Sequence, residues 1–210
     1  NAVAASICPV PHAYTDHYYK RFLQFMDEPA ITSKDIVMLG NSLTEGGGDW
    51  SARLGKKNVR NRGIIGDEVM GIYDRLHQIL PGHPAKLFLL IGVNDISHNL
   101  TSDSIVSMIR MTIERIRKES PDTKLYLQSL LPFNESFGRY KSLTGKTDMV
   151  PEVNARLEAL AKEKDIAYIN LFPLFTEKGT NVLRSELTGD GLHLNEDGYR
   201  IWVKAIKKKI

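Results

Sequence analysis

An α/β fold built on a parallel sheet is what this sequence predicts, and two patterns carry the prediction. Apolar runs of strand length alternate with amphipathic stretches of helix length, as they do when helices cross over between parallel strands. One run, Lys86 to Ile91 (Lys-Leu-Phe-Leu-Leu-Ile), is almost continuously apolar, the mark of a strand covered on both faces. With 210 residues and no repeat, low-complexity tract or long linker, the chain (1–210) is expected to form one domain with a sizeable core.

The elements run in this order. Asp16 to Asp27 reads as a helix with Tyr19, Phe22 and Met26 on one face. Asp35 to Leu39 is the first strand and Asn58 to Arg60 a short second one. Asp67 to Leu80 reads as a helix that stops before Pro81-Gly82. Lys86 to Ile91 is the buried strand. Thr101 or Ser102 can cap the next helix, whose stripe is Ile105, Ile109, Ile113 and Ile116, and Pro121-Asp122 ends it. Leu125 to Leu130 is a strand, Pro151 to Lys164 a helix with Val153, Leu157 and Leu160 inward, and Ile166 to Ile169 the last strand. A final helix from near Asn195 buries Tyr199, Trp202, Val203 and Ile206. About five strands joined by right-handed crossovers put all their carboxyl ends on one rim, where ligands of open sheets bind.

Composition excludes several classes. A 42% hydrophobic, 25% charged chain is an ordinary globular one, not a disordered one. The net charge of +3 is small and gathers at Lys204, Lys207, Lys208 and Lys209. That cluster suits a solvated helix end, and no aromatic or motif accompanies it to suggest nucleic acid. Cys8, the one cysteine, rules out an intrachain disulfide and a cysteine-built zinc site. No apolar run approaches the roughly 20 residues that span a bilayer. Asn1 and the Ala-Val-Ala-Ala after it read as the stub of a removed signal peptide or as a cut made in preparing the chain; the expectation is a secreted or periplasmic protein.

Four segments can carry chemistry. Gly40-Asn41-Ser42-Leu43 ends the first strand. A serine there can present an exposed hydroxyl, with its N–H free where negative charge is favoured, or it can simply cap a helix. Gly66, in Asn61 to Asp67, precedes a predicted helix and can offer its N–H, or serve only as a turn. Asn94, in Gly92-Val93-Asn94-Asp95, can donate a side-chain N–H to an oxyanion, or form an Asn-Asp turn. Asp190-Gly191-Leu192-His193 is decisive, because a serine nucleophile needs an imidazole base and that base an anionic partner. This pair offers too few ligands for a metal, and His77, His83 and His98 read as surface or structural. Gly46-Gly47-Gly48 lacks the phosphate-loop fingerprint and reads as a flexible loop, so no cofactor is expected.

Together these segments resemble the SGNH hydrolases, also called GDSL esterases and lipases, in order and spacing from Ile36 to about Trp202. Gly40 to Leu43 is similar to the Gly-Asp-Ser-Leu block, with Asn41 in place of its aspartate. Gly66 matches the glycine block, and Gly92 to Asp95 and Asp190 to His193 match the remaining two intact. The branch it looks most like includes platelet-activating-factor acetylhydrolase-like proteins and bacterial carbohydrate O-acetylesterases. The resemblance implies a flavodoxin-like three-layer α/β/α sandwich with a five-stranded parallel sheet. It implies Ser42 as nucleophile, His193 as base and then acid, Asp190 as its orienter, and an oxyanion hole made by Ser42, Gly66 and Asn94. No cofactor or metal is implied, and Asn41 should alter turn hydrogen bonding without abolishing activity.

The substrate is the least legible part. No obvious lid appears. Phe133, Phe137 and Tyr140, in the polar stretch 133–149, either line a pocket for a short acyl group on a sugar or belong to a surface excursion. The expectation is a small-molecule ester, an acetylated carbohydrate. A lysophospholipase or thioesterase with the same machinery is the alternative, and a non-catalytic α/β domain that binds flavin or nucleotide is the rival from another class.

Overall fold

A computed structural model describes residues 14–210, so the readings at Asn1 and Cys8 lie outside the described residues. Five parallel strands form one sheet: β1 (Ile36–Gly40), β2 (Val59–Gly63), β3 (Lys86–Leu90), β4 (Lys124–Gln128) and β5 (Ala167–Ile169), in the order β2-β1-β3-β4-β5. The chain steps from β1 to β2 in one direction and from β2 through β3 to β5 in the other. Because right-handed crossovers fix the face each helix takes, that reversal places helices on both sides of the sheet. One side carries α4 (Val69–Tyr73), α6 (Ser102–Glu119) and α7 (Met149–Glu163), with α6 packed against both of the others. On the other, α3 (Trp50–Leu54) meets α8 (Glu196–Ile206) through the rings of Trp50 and Trp202, 4.9 Å apart. The implied three-layer sandwich is therefore the fold.

The register positions the site. Gly40 stands opposite both Gly63 and Leu90, so β1, β2 and β3 end level with one another. These three strands lead into α2 (Ser42–Glu45), the Gly66 loop and α5 (Val93–Ser97) respectively. All three segments flank the end of β1, the strand at which the order reverses, which is where open α/β sheets hold ligands.

Most elements form where the pattern put them. Thr101 caps α6 by accepting from the Ser104 N–H at 3.1 Å. The four isoleucines of its stripe are fully buried, each adding roughly 1.5–3 kcal/mol of burial.

Several expectations change. On α1 (Asp16–Asp27) the buried residues are Tyr18 and Phe25, while Tyr19 and Met26 are exposed. The inward face is set by Tyr18, whose hydroxyl donates to Gly71 O at 2.7 Å, and by Phe25, whose ring lies beneath the Arg62 guanidinium. The helix expected over 67–80 is the short α4 followed by 3₁₀ turns. It breaks because Arg75 leaves helical geometry (φ −116°, ψ 9°) to turn its guanidinium into the core. The second strand runs on to Gly63, and α3 and α5 are additional short helices. Gly46 and Gly47 are packed rather than flexible: a Cβ on Gly47 would lie 2.3 Å from the Trp50 ring. Val203 is only half-buried, and Phe133 belongs to the core instead of lining a pocket.

Candidate active site

Ser42 is delivered by a sharp exit from β1. A Cβ at Gly40 would sit 2.3 Å from Thr44 Oγ1 and 2.6 Å from Leu90 O, so only glycine lets α2 fold back so closely. Asn41 is the helix cap, its Oδ1 accepting from the Leu43 N–H at 3.0 Å. Ser42 is thus the first helical residue and its hydroxyl is released from capping duty. The Asn41 amide nitrogen is buried with no partner among the described residues.

The Ser42 hydroxyl lies 2.9 Å from His193 Nε2, and His193 Nδ1 lies 2.6 Å from Asp190 Oδ2. Residues 151 apart in sequence meet here because Asp190 folds its own loop. Its Oδ1 accepts from the Leu192 and His193 N–H groups at 2.9 and 2.8 Å, and Gly191 takes φ +90° to make the turn. Burial opposes ionisation of Asp190, yet hydrogen bonds from the His193 side chain, the two loop N–H groups and Tyr140 hold it well below the usual carboxylate range. An ionised acceptor fixes the hydrogen of a neutral imidazole on Nδ1 and turns the Nε2 lone pair toward Ser42.

The other two residues stand on the neighbouring strand ends. Gly66 has φ +83°, and no hydrogen bond among the described residues engages its N–H. Its loop is pinned by Glu45, whose Oε1 accepts from the Ile65 N–H at 3.0 Å and pairs with His17 of α1 at 2.8 Å. Asn94 donates from Nδ2 to Asp67 O at 2.9 Å, which leaves the second hydrogen of that amide for another acceptor. Gly66 and Asn94 are thereby tied to one another.

Beneath them lies a buried ionic brace that sequence reasoning did not foresee. Arg75 is fully buried and donates from Nε and an Nη to Asp67 Oδ2 at 3.0 and 2.9 Å. Its other bonds reach Arg62 O at 2.8 Å and Gly40 O at 3.0 Å, so one guanidinium joins β1, β2 and the Gly66 loop. A Cβ at Gly71 would fall 1.7 Å from Asp67 Oδ1, so glycine is needed for the carboxylate to fit. Burial pushes the Asp67 carboxyl up to about 6 against the pull of Arg75. Asp95, which accepts from the Val69 N–H at 3.2 Å, is pushed up to about 7, first by burial and then by Glu68. The only sequence signal for the brace was an arginine within an amphipathic stretch.

A recess of about 170 Å³ opens beside Gly66, lined by Tyr14, Tyr18, Ile65, Glu68 and His98 among others. His98 pairs with Glu68 at 3.0 Å, so it is part of this wall. Larger hollows of about 410 and 480 Å³ border β2 and the turn before β1; neither they nor the recess include Ser42, Asp190 or His193, and of the candidate site residues only Gly66 borders the recess. Among the described residues no three His, Cys, Asp or Glu side chains cluster to hold a metal ion, and no helix is long and apolar enough to cross a membrane.

Comparison with known proteins identifies the family and the fold. The family model described as GDSL-like lipase/acylhydrolase matches residues 38–201. No curated protein sequence matches the chain. Among solved structures, a GDSL-like lipase from Bacteroides thetaiotaomicron is 25% identical with a TM-score of 0.79, covering 91% of this chain and 96% of its own. A Streptococcus pneumonia protein described under platelet activating factor is 24% identical with a TM-score of 0.84, covering 100% and 99%. An acetyl-xylooligosaccharide esterase from Geobacillus Stearmophilus is 15% identical with a TM-score of 0.68, covering 86% and 95%.

Proposed function

Because the chain belongs to the GDSL-like lipase/acylhydrolase family, we propose that it is a serine esterase that removes short acyl groups, acetyl in particular, from a carbohydrate. The observation that carries the mechanism is the unbroken relay from Ser42 Oγ through His193 to Asp190, at 2.9 and 2.6 Å.

In this reading His193 Nε2 takes the Ser42 hydroxyl proton as Oγ attacks the ester carbonyl. The oxygen of the tetrahedral intermediate is received by the N–H groups of Ser42 and Gly66 and the free amide hydrogen of Asn94. The carbon–oxygen bond to the alcohol breaks, and His193 returns the proton to the departing oxygen. Water then repeats the sequence on the acyl-Ser42 ester, releasing carboxylic acid and restoring the hydroxyl. Asp190 stays ionised throughout and steadies the imidazolium.

Two features support the short acyl group and the sugar. The recess beside Gly66 is small, about 170 Å³, and presents tyrosine rings with a Glu68–His98 pair, a mixture of flat apolar and hydrogen-bonding surface suited to a sugar ester. The chain also shares its fold with an acetyl xylan esterase and with an acetyl-xylooligosaccharide esterase. The test has two parts. A fluorophosphonate should add once, at Ser42, and abolish hydrolysis of p-nitrophenyl acetate. Acetate release from acetylated xylooligosaccharides should exceed fatty-acid release from lysophospholipid and thiol release from acyl-coenzyme A. The reverse ranking supports the lysophospholipase or thioesterase reading, and an unlabelled Ser42 without esterase activity supports a binding domain.

A further inference from the structure

The excursion 133–149 is strung between the two parts of the site. At its start the Asn134 N–H donates to Gly191 O at 2.7 Å, and its side chain donates to Leu183 O at 3.0 Å. At its far end Lys146 Nζ donates to Ile96 O at 3.1 Å and Asn99 Oδ1 at 2.7 Å, and Ser142 meets Ser97 at 2.6 Å. It therefore spans from the loop of Asp190 and His193 to the C-terminal end of α5, the helix that carries Asn94. Tyr140 stands near its middle. The hydroxyl lies 3.0 Å from Asp190 Oδ2 and 3.2 Å from His193 Nδ1, and the ring meets the imidazole edge-on, centroids 5.7 Å apart.

We propose that Tyr140 is a positioning residue for hydrolysis, its hydroxyl donating to the same Asp190 oxygen that receives the His193 Nδ1–H. The inference rests on the reading of Ser42, His193 and Asp190 as a triad.

Direction of donation follows from the chemistry. Nδ1 carries its own hydrogen toward Asp190, so the tyrosine proton has only the carboxylate to go to. Asp190 receives its other hydrogen bonds from residues 188–193 of its own loop. Among the described residues Tyr140 is thus the one donor that anchors this carboxylate from another segment. Burial and the bond to Asp190 both raise the tyrosine's own titration, with Arg139 working the other way, so it remains a donor through neutral pH. The titratable and charged groups facing the cluster are Asp190, His193, Tyr140 and, through its charge on Tyr140, Arg139. A carboxylate that accepts a second strong bond is a weaker base toward the imidazole. Its loss should therefore favour the imidazolium and leave less neutral base in mild acid.

Tyr140→Phe keeps the ring and removes the hydroxyl. With p-nitrophenyl acetate, kcat should fall about tenfold, as loss of a bond to a charged group predicts. KM should be little changed, and the acid limb of kcat/KM should move to higher pH. Lys146→Ala leaves the hydroxyl in place but removes the lysine's ties to Ile96 and Asn99 while the Ser142–Ser97 contact remains, and should move the same limb by a smaller amount. An unmoved acid limb in both variants overturns the proposal, whether or not kcat falls. Ser42→Ala in the same assay separates the two readings: if it is inactive, only the role of Tyr140 has failed, and if it is active, the triad has failed with it.

Discussion

Ser42 and Asn94 stand on the short helices that follow β1 and β3, and Gly66 in the loop that follows β2, just past the level ends of these three strands, while Asp190, His193 and Tyr140 stand on two later loops. The first region rests on fully buried Arg75 and nearly buried Asp67; in the second, the His193 and Asp190 side chains are 36% and 21% exposed. The difference fits the roles proposed for each. Donors that meet a developing oxyanion work best when fixed and dry. An imidazole that gains and loses a proton in each cycle, and passes it to departing alcohol and entering water, needs an open side.

The largest effect should come from severing the contact between Ser42 and His193 that joins the two regions. Ser42→Ala removes the nucleophile, and ester hydrolysis is expected to fall about a thousandfold or more. Its melting temperature should hardly move, since the hydroxyl's partner is the solvent-facing His193. A variant that keeps a tenth of the activity would dissolve the relay on which the mechanism depends.

Next comes Asn94→Ala, which subtracts one proposed oxyanion donor. A fall in kcat of about 10²–10³ with little change in KM is expected. Because the same amide holds Asp67 O at 2.9 Å, a thermal melt must accompany the kinetics. If stability is lost and kcat of the folded enzyme is kept, the amide serves the scaffold alone.

The boundary between the two regions is also where the sequence stops being legible. Strand ends and blocks announce themselves locally: Gly40 before Ser42, a continuous apolar run before Gly92, and Asp190 three residues from His193 each leave a short-range mark. Spacing therefore suffices for the sheet and for the residues named at its rim. The Arg75–Asp67 brace leaves none, because an arginine in an amphipathic stretch reads as a solvated helix position. Only the tertiary arrangement brings the carbonyls of Gly40 and Arg62 within its reach. Tyr140 is visible as an aromatic in a long polar segment, yet periodicity carries no information on which partner such a side chain meets. The inward face of α1 departs from its local pattern for a related reason: Tyr18 and Phe25 face inward because of partners on β2 and α4 that no short window reveals.

The brace can be tested directly. Arg75→Met leaves the Asp67 carboxylate buried without its main partner and withdraws a donor from β1 and β2 together. Breaking a buried pair in this way costs about 3–5 kcal/mol, or a melting temperature lower by on the order of 10 °C for a chain of this length. A melt within about 2 °C of the parent would mean that the donor side of the site does not depend on this pair.

The two regions also differ in the sign of their pH dependence. Burial raises the Asp95 carboxyl from 3.8 to about 7 in the folded protein. Between those values the folded state keeps a proton that the unfolded chain releases, so this group's contribution is fully present below pH 3.8 and is lost as pH rises toward about 7. Asp190 is shifted downward, so its contribution persists through neutral pH and is lost only in strong acid. Asp95→Asn retains an acceptor for the Val69 N–H and removes the titration. Its melting temperature relative to the parent should rise steadily from about pH 4 to about pH 7 and then level off. A difference that stays constant across that range would mean that Asp95 does not change charge there, which would leave Asp67 as the donor side's one raised carboxyl among the described residues.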